Sequence, residues 1–249
     1  MPFKDLFSAR AELYSRYRPS YPEVLYTWLR SLVASNERAW DCATGNGQAA
    51  RGLAAYFGKV IATDASESQI QRADADERIT YHVASACASA IASSSVDAVT
   101  IAQAMHWIDP QCFFAEAKRV ARGRAPVVIW GYGDPVMDSE PIDRLVHEYN
   151  RGTIESYWMP ERHLLLGGYR SIPFPLKEVE TPAITMEAAW TLEELAGYLR
   201  TWSATAAYAA RLGRDPVIDV ERRLADYWGK KEERHLVRWP LFIRAGYVS

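Results

Sequence analysis

The segment Trp40-Asp41-Cys42-Ala43-Thr44-Gly45-Asn46-Gly47-Gln48 constrains the fold of this chain more than any other. A short strand, about 38–42, runs into small residues and two glycines, and a helix follows over about 48–57. Glycine carries no Cβ, so the backbone at Gly45 and Gly47 can approach a bound molecule closely. The first N–H groups of the helix point toward that molecule. Ala50, Leu53, Ala54 and Phe57 recur at helical spacing and give the helix a buried face. A strand, a glycine turn and a helix in this order mark a ligand loop of an α/β protein.

The next hundred residues repeat the alternation. Strands are expected at 60–63, 80–84, 98–102 and 126–130. Ser66 is placed to cap a helix, and Asp109-Pro110 opens another that runs to about 122. This predicts a mostly parallel sheet with helices on both faces. Ligands in such sheets sit at the carboxyl ends of the strands.

The flanks differ. Residues 1–35 read as a helical N-terminal lid broken at Arg18-Pro19-Ser20-Tyr21-Pro22, because proline disfavours helix in the residue before it. After Gly131 come a helix near 141–150 and an aromatic stretch, Tyr157-Trp158-Met159-Pro160-Glu161-Arg162-His163. That length exceeds a simple connection and reads as a helical cap insertion. Thr191 caps a helix over 192–200. A further helix covers 205–212, Asp215-Pro216 opens the last one, and the final strand falls within 237–248. The expected layout is one domain: lid 1–35, cofactor-binding core 36–133, cap segments 134–172 and 191–213, last helix and strand 214–249.

Composition sets limits on partners. The net charge of −2 provides no general attraction to nucleic acid or an anionic membrane. No apolar run reaches the roughly 18 residues of a membrane span, and the N-terminus lacks the run a signal peptide needs. Cys42, Cys87 and Cys112 have neither CxxC spacing nor an even count. They read as reduced thiols of a cytoplasmic protein, and no His/Cys/Asp cluster has metal spacing.

Gly45-x-Gly47-x-x-Ala50 formally fits the dinucleotide fingerprint. Asp41 argues against it: a carboxylate at the end of strand 1 is unhelpful to a pyrophosphate, whereas a ligand with an ammonium and a sulfonium would welcome it. Asp64, ending strand 2, is placed to accept two hydrogen bonds from a ribose diol, which both ligands carry. Strand 4 ends in Gln103-Ala104-Met105-His106-Trp107, without the Tyr-x-x-x-Lys of an oxidoreductase.

Together, Asp41-x-Ala43-Thr44-Gly45-x-Gly47, Asp64 and Gln103-Ala104-x-His106-Trp107 resemble the class I S-adenosylmethionine-dependent methyltransferases. Tyr14-x-x-Tyr17-Arg18-Pro19-x-Tyr21-Pro22, Trp190-Thr191-x-x-Glu194-Leu195 and Trp239-Pro240 are similar to the methyltransferase-11-type branch that includes trans-aconitate methyltransferases. The resemblance implies a Rossmann-like, three-layer, seven-stranded sheet whose last strand is antiparallel. It also implies that Asp41 and the backbone of Ala43, Thr44, Gly45 and Gly47 meet the methionine part of S-adenosylmethionine. Asp64 would take the ribose, Ala65 and Gln69 would flank the adenine, and Ser85 and Ala86 would meet its edge. Gln103 would offer a carbonyl to the cofactor's amino group. Tyr14 and Arg18 would close the lid over the methionine end, with Arg18 as carboxylate partner.

Methyl transfer from a sulfonium needs alignment and exclusion of water, and needs a base only where the acceptor must lose a proton. His106, just beyond strand 4, is the candidate for acid–base or substrate-orienting work. Trp107, Trp130, Trp158 and Trp202 are candidates for an aromatic substrate pocket, and Arg162 and Arg170 for binding an anionic substrate. The expected activity is methyl transfer to a small molecule, with a carboxylate acceptor implied by the branch. The competing classes are a non-catalytic S-adenosylmethionine-binding sensor or scaffold and an NAD(P)-dependent oxidoreductase.

Overall fold

The computed structural model describes residues 16–248, so Tyr14 and most of the first lid helix lie outside the described residues. Five strands are parallel: β1 (Arg38–Cys42), β2 (Lys59–Asp64), β3 (Ile79–Val83), β4 (Ala98–Ala102) and β5 (Pro126–Tyr132). They lie in the order β3-β2-β1-β4-β5. The last strand, β9 (His235–Tyr247), runs antiparallel to β5, with Pro126 opposite Tyr247 and Tyr132 opposite Leu241. The short β7 (Lys177–Glu178) pairs with the far edge of β9. These seven described strands, with β9 reversed, are the ones expected, and two further strands join through β9 to bring the described sheet to nine.

Side chains of β5 alternate between two cores. Val128 and Trp130 face one core, built with Leu25 and Leu29 of α1 (Glu23–Ser31) and Ala50 and Leu53 of α2 (Gln48–Ala54). Val127 and Ile129 face the other, with Phe113, Ala117 and Val120 of α4 (Pro110–Val120). The period of two in a strand produces this division. It also corrects one expectation: Trp130 is fully buried, edge-on to Tyr21 at 5.5 Å, and lines neither of the two cavities described below.

Helix starts follow local chemistry. The Asp109 carboxylate accepts hydrogen bonds from Gln111 N (2.8 Å) and Cys112 N (3.2 Å), with Pro110 at the first helical position. Ser66 Oγ accepts from Gln69 N and starts α3 (Glu67–Ile70). Thr191 and Glu194 form a reciprocal capping box at α7 (Leu192–Arg200).

The cap differs from expectation. β9 has 13 residues against seven in β5, so about 43 Å of strand at ~3.3 Å per residue outruns the sheet. Its first half pairs with β8 (Thr185–Trp190) and with β6 (Val136–Met137). The helices α5 (Glu140–Glu148), α6 (Arg162–Leu166), α7, α8 (Ser203–Leu212) and α9 (Val217–Trp228) complete the region. Tyr198, Trp202, Leu224, Trp228, Val237 and Trp239 form its core. The cap is thus mixed α and β, since the overhanging strand needs hydrogen-bonding partners. Among the described residues, no helix is long and apolar enough to cross a membrane.

Candidate active site

The loop after β1 turns through left-handed backbone at Ala43 (φ +54°), Gly45 (+58°) and Gly47 (+85°). A non-glycine residue in this region carries strain and persists only where its surroundings hold it. They do: Thr44 N donates to Thr63 O (2.9 Å) and Gly45 N to Asp64 Oδ2 (2.8 Å). Asp64 Oδ1 accepts from Ser66 N (2.8 Å), so one carboxylate ties the glycine loop to the turn after β2.

The two glycines do different work. A Cβ at Gly45 would meet nothing within 4 Å, leaving that backbone open to the cleft. A Cβ at Gly47 would come within 2.3 Å of Tyr81 Oη, so packing against β3 requires Gly47.

Asp41, expected to meet the methionine part of the cofactor, instead lies beneath the loop, fully buried, and lines neither of the two cavities described below. Thr44 Oγ1 donates to Oδ2 (2.5 Å) and Thr100 Oγ1 to Oδ1 (2.9 Å). Burial raises its pKa to about 6, although both hydroxyls favour the ionised form.

Above the loop a cleft of about 1200 Å³ runs along the carboxyl ends of β1, β2, β3 and β4. Ala43, Thr44, Gly45, Asp64, Ala65, Gln69, Ser85, Ala86 and Gln103 all line it, together with Tyr21, Asn46 and Gln48, which belong to the quoted segments but were given no cofactor role. Arg18 is not among them. It lines a second cavity of about 110 Å³, where Nη1 donates to Tyr132 Oη (3.1 Å) and the guanidinium lies 5.3 Å from the Tyr198 ring.

The second cavity is walled by Tyr132, Trp158, Tyr198 and Trp202. Arg162 lines it too, stacked 3.9 Å over Trp158 and donating to Asp134, which also accepts from Arg151. Arg170 is exposed and lines neither cavity. Gln103, His106, Trp107 and Met159 line both cavities and so form their junction.

Gln103 is left-handed (φ +55°). Its amide clamps the backbone of Tyr132, with Oε1 accepting from Tyr132 N (2.9 Å) and Nε2 donating to Tyr132 O (3.2 Å). His106 Nδ1 lies 2.9 Å from Tyr169 Oη. Burial lowers the His106 pKa to about 4, so the ring is neutral at physiological pH. Trp107 keeps 40% of its surface exposed, an aromatic face available to a ligand.

The cysteine reading is corrected. Cys87 and Cys112 form a disulfide across 25 residues, Cα–Cα 5.1 Å, and Cys42 stays free and buried. Spacing along the chain conceals that the turn after β3 lies beside the start of α4. Cys87 lines the cleft next to Ser85 and Ala86. Peptide mass spectrometry without reductant should recover a linked Cys87–Cys112 pair. Free alkylated peptides at both positions would refute the bridge.

A seven-stranded sheet with one reversed strand beside β5, and a glycine loop answering an acidic strand end, is the architecture of a class I methyltransferase. Known proteins share it. The type-11 family model described as "Methyltransferase domain" matches residues 40–129. A protein of Dictyostelium discoideum, named as a methyltransferase, is 30% identical over 225 residues, covering 89% of this chain and 86% of the relative. A solved structure named as a type II methyltransferase, from Anaeromyxobacter dehalogenans, is 40% identical with a TM-score of 0.87, covering 93% of this chain and 98% of that one. A shorter match, 27% identical over 131 residues, covers 49% of this chain and 45% of a Saccharomyces cerevisiae protein named as an S-adenosylmethionine-dependent methyltransferase. The chain belongs to the class I S-adenosylmethionine-dependent methyltransferases.

Proposed function

We propose that this chain transfers a methyl group from S-adenosylmethionine to a small-molecule carboxylate. The residues of the large cleft suit the cofactor. The backbone at Gly45 is open, and the Asp64 carboxylate lines the same cleft at the end of β2. Asp64 would hold the ribose, Ala65 and Gln69 the adenine flank, and Ser85 and Ala86 its edge. Ala43, Thr44, Gly45 and the Gln103 carbonyl would meet the methionine part. Asp41 and Gly47 act through the loop they support. When bound, the cofactor supplies a methyl on a positive sulfur, a leaving group already activated.

The observation that carries the acceptor class is the junction at Gln103, His106, Trp107 and Met159, which opens the cofactor cleft into a small aromatic cavity with Arg18 and Arg162 in its wall. Among the described residues, the only carboxylate in that wall is Asp134, ion-paired with Arg162 and Arg151. Arg18 contributes a second guanidinium to the wall, a group whose N–H fork matches the geometry of a carboxylate. A carboxylate requires no base, which suits a buried His106 whose pKa is lowered to about 4. The cavity, about 110 Å³, is smaller than the roughly 150 Å³ cavity that accepts benzene, which limits the reacting end to a few carbon atoms.

The test is transfer of labelled methyl to an acidic-metabolite extract, followed by mild alkali. A carboxylate acceptor yields an ester that releases labelled methanol. An alkali-stable labelled product would overturn the carboxylate class.

A further inference from the structure

We propose that Tyr169 is a positioning residue that fixes the proton of His106 on Nε2, so that His106 donates a hydrogen bond to a lone pair of the methyl acceptor and does not take a proton from it. The inference rests on the reading that the small cavity holds the acceptor.

Tyr169 is buried, and its ring lies nearly parallel to His106, 21° between planes and 5.9 Å between centroids. Its hydroxyl is 2.9 Å from Nδ1, a distance that does not itself say which atom donates. The surroundings of the phenol oxygen decide it. Among the described residues, Nδ1 is the one hydrogen-bond partner of that hydroxyl. A phenol has one proton to donate, and a buried O–H left without an acceptor is costly. An N–H at Nδ1 donating to the oxygen would leave the O–H in that state, so the O–H donates to Nδ1, which accepts. An imidazole that accepts at Nδ1 carries its proton at Nε2 while neutral. Nε2 is then the ring nitrogen available to the two cavities that His106 lines.

The supports of Tyr169 show how firmly it is held. It has left-handed backbone, φ +58°, directly after Gly167-Gly168. Its N–H donates to Leu164 O (2.9 Å) in the turn that ends α6. Its carbonyl accepts from Arg244 Nη1 on β9 (2.8 Å), and the same nitrogen donates to Ile172 O (2.8 Å). The strained residue is thus clamped from two elements, and its side chain presents the hydroxyl to one ring nitrogen. The acceptor class that fits a donor without a base is an oxyanion, whose reacting oxygen already carries a lone pair and no proton. An oxygen or nitrogen that must shed a proton finds no acceptor for it at His106.

The test uses the whole chain labelled with ¹⁵N-histidine. Two-bond ¹H–¹⁵N spectra distinguish a protonated Nε2 from a protonated Nδ1, and the His106 signal is the one absent from His106→Asn. The wild type should show protonated Nε2 and bare Nδ1. Tyr169→Phe should move His106 toward a mixture of tautomers, with the other four histidine signals unchanged and S-adenosylhomocysteine affinity within about twofold. A proton on Nδ1 in the wild type, or a tautomer unchanged in Tyr169→Phe, would overturn the proposal. Should Tyr169→Phe fail to fold, the wild-type spectrum decides alone. The expected tautomer combined with an alkali-stable methylated product would overturn the carboxylate reading and leave the role of Tyr169 standing.

Discussion

Asp64→Ala is expected to lower affinity for S-adenosylhomocysteine by about 100-fold or more, measured by calorimetry. A hydrogen bond to a charged acceptor contributes about 1.5–3 kcal/mol, so losing two from a ribose diol removes at least about 3 kcal/mol. Each 1.4 kcal/mol corresponds to about tenfold in affinity. The carboxylate has a second task, since it also receives Gly45 N and Ser66 N. Removing it loosens the loop that shapes the cleft, which adds to the loss. Asp64→Asn separates the two contributions. Its remaining carbonyl oxygen accepts without charge and keeps part of the loop contact, so an intermediate loss is expected. Affinity unchanged in both variants would remove Asp64 from the cofactor site.

How much of the candidate site is legible in the sequence follows from distance along the chain. Gly45 and Asp64 sit at strand ends, where a strand, its turn and the next helix are consecutive in sequence, so spacing places them beside the cleft. Asp41 ends a strand too, but spacing does not show that it lies beneath the loop and outside the cleft. The acceptor cavity draws Arg18, Tyr132, Asp134, Arg162, Tyr198 and Trp202 from separate segments. Only the packing of the cap brings these together, and no periodicity announces it. Trp130 shows the same limit within one strand. All seven residues of β5 are buried, so apolar character alone does not say which face each side chain takes. Tyr169 was missed for a related reason: its meaning lies in His106 and Arg244, which are distant in sequence. Trp107, Trp158 and Trp202, in contrast, do line the cavity for which they were candidates.

A second large effect concerns Asp41. Its folded pKa is raised to about 6 by burial, above the ordinary value of about 3.9 for an unfolded chain. The folded state therefore binds this proton more tightly than the unfolded state does. The resulting stabilisation is fully present below about pH 4 and is lost as pH rises through about 6. The gap between the folded and unfolded pKa values corresponds to about 3 kcal/mol. Asp41→Asn does not titrate, so the stability difference between wild type and variant should change by up to about 3 kcal/mol between about pH 4 and about pH 7.5, with the wild type relatively better at the acid end. Urea unfolding of both proteins at the two pH values measures it, and a difference constant with pH would sink the argument. The amide has one accepting oxygen where the carboxylate serves both Thr44 and Thr100, so one threonine hydroxyl must turn to accept from the new N–H group. Thr44 belongs to the cofactor loop, and the loop backbone at Thr44 is anchored to Thr63. Cofactor affinity should therefore fall in Asp41→Asn even at the alkaline end of that range, although Asp41 lines no part of the cleft.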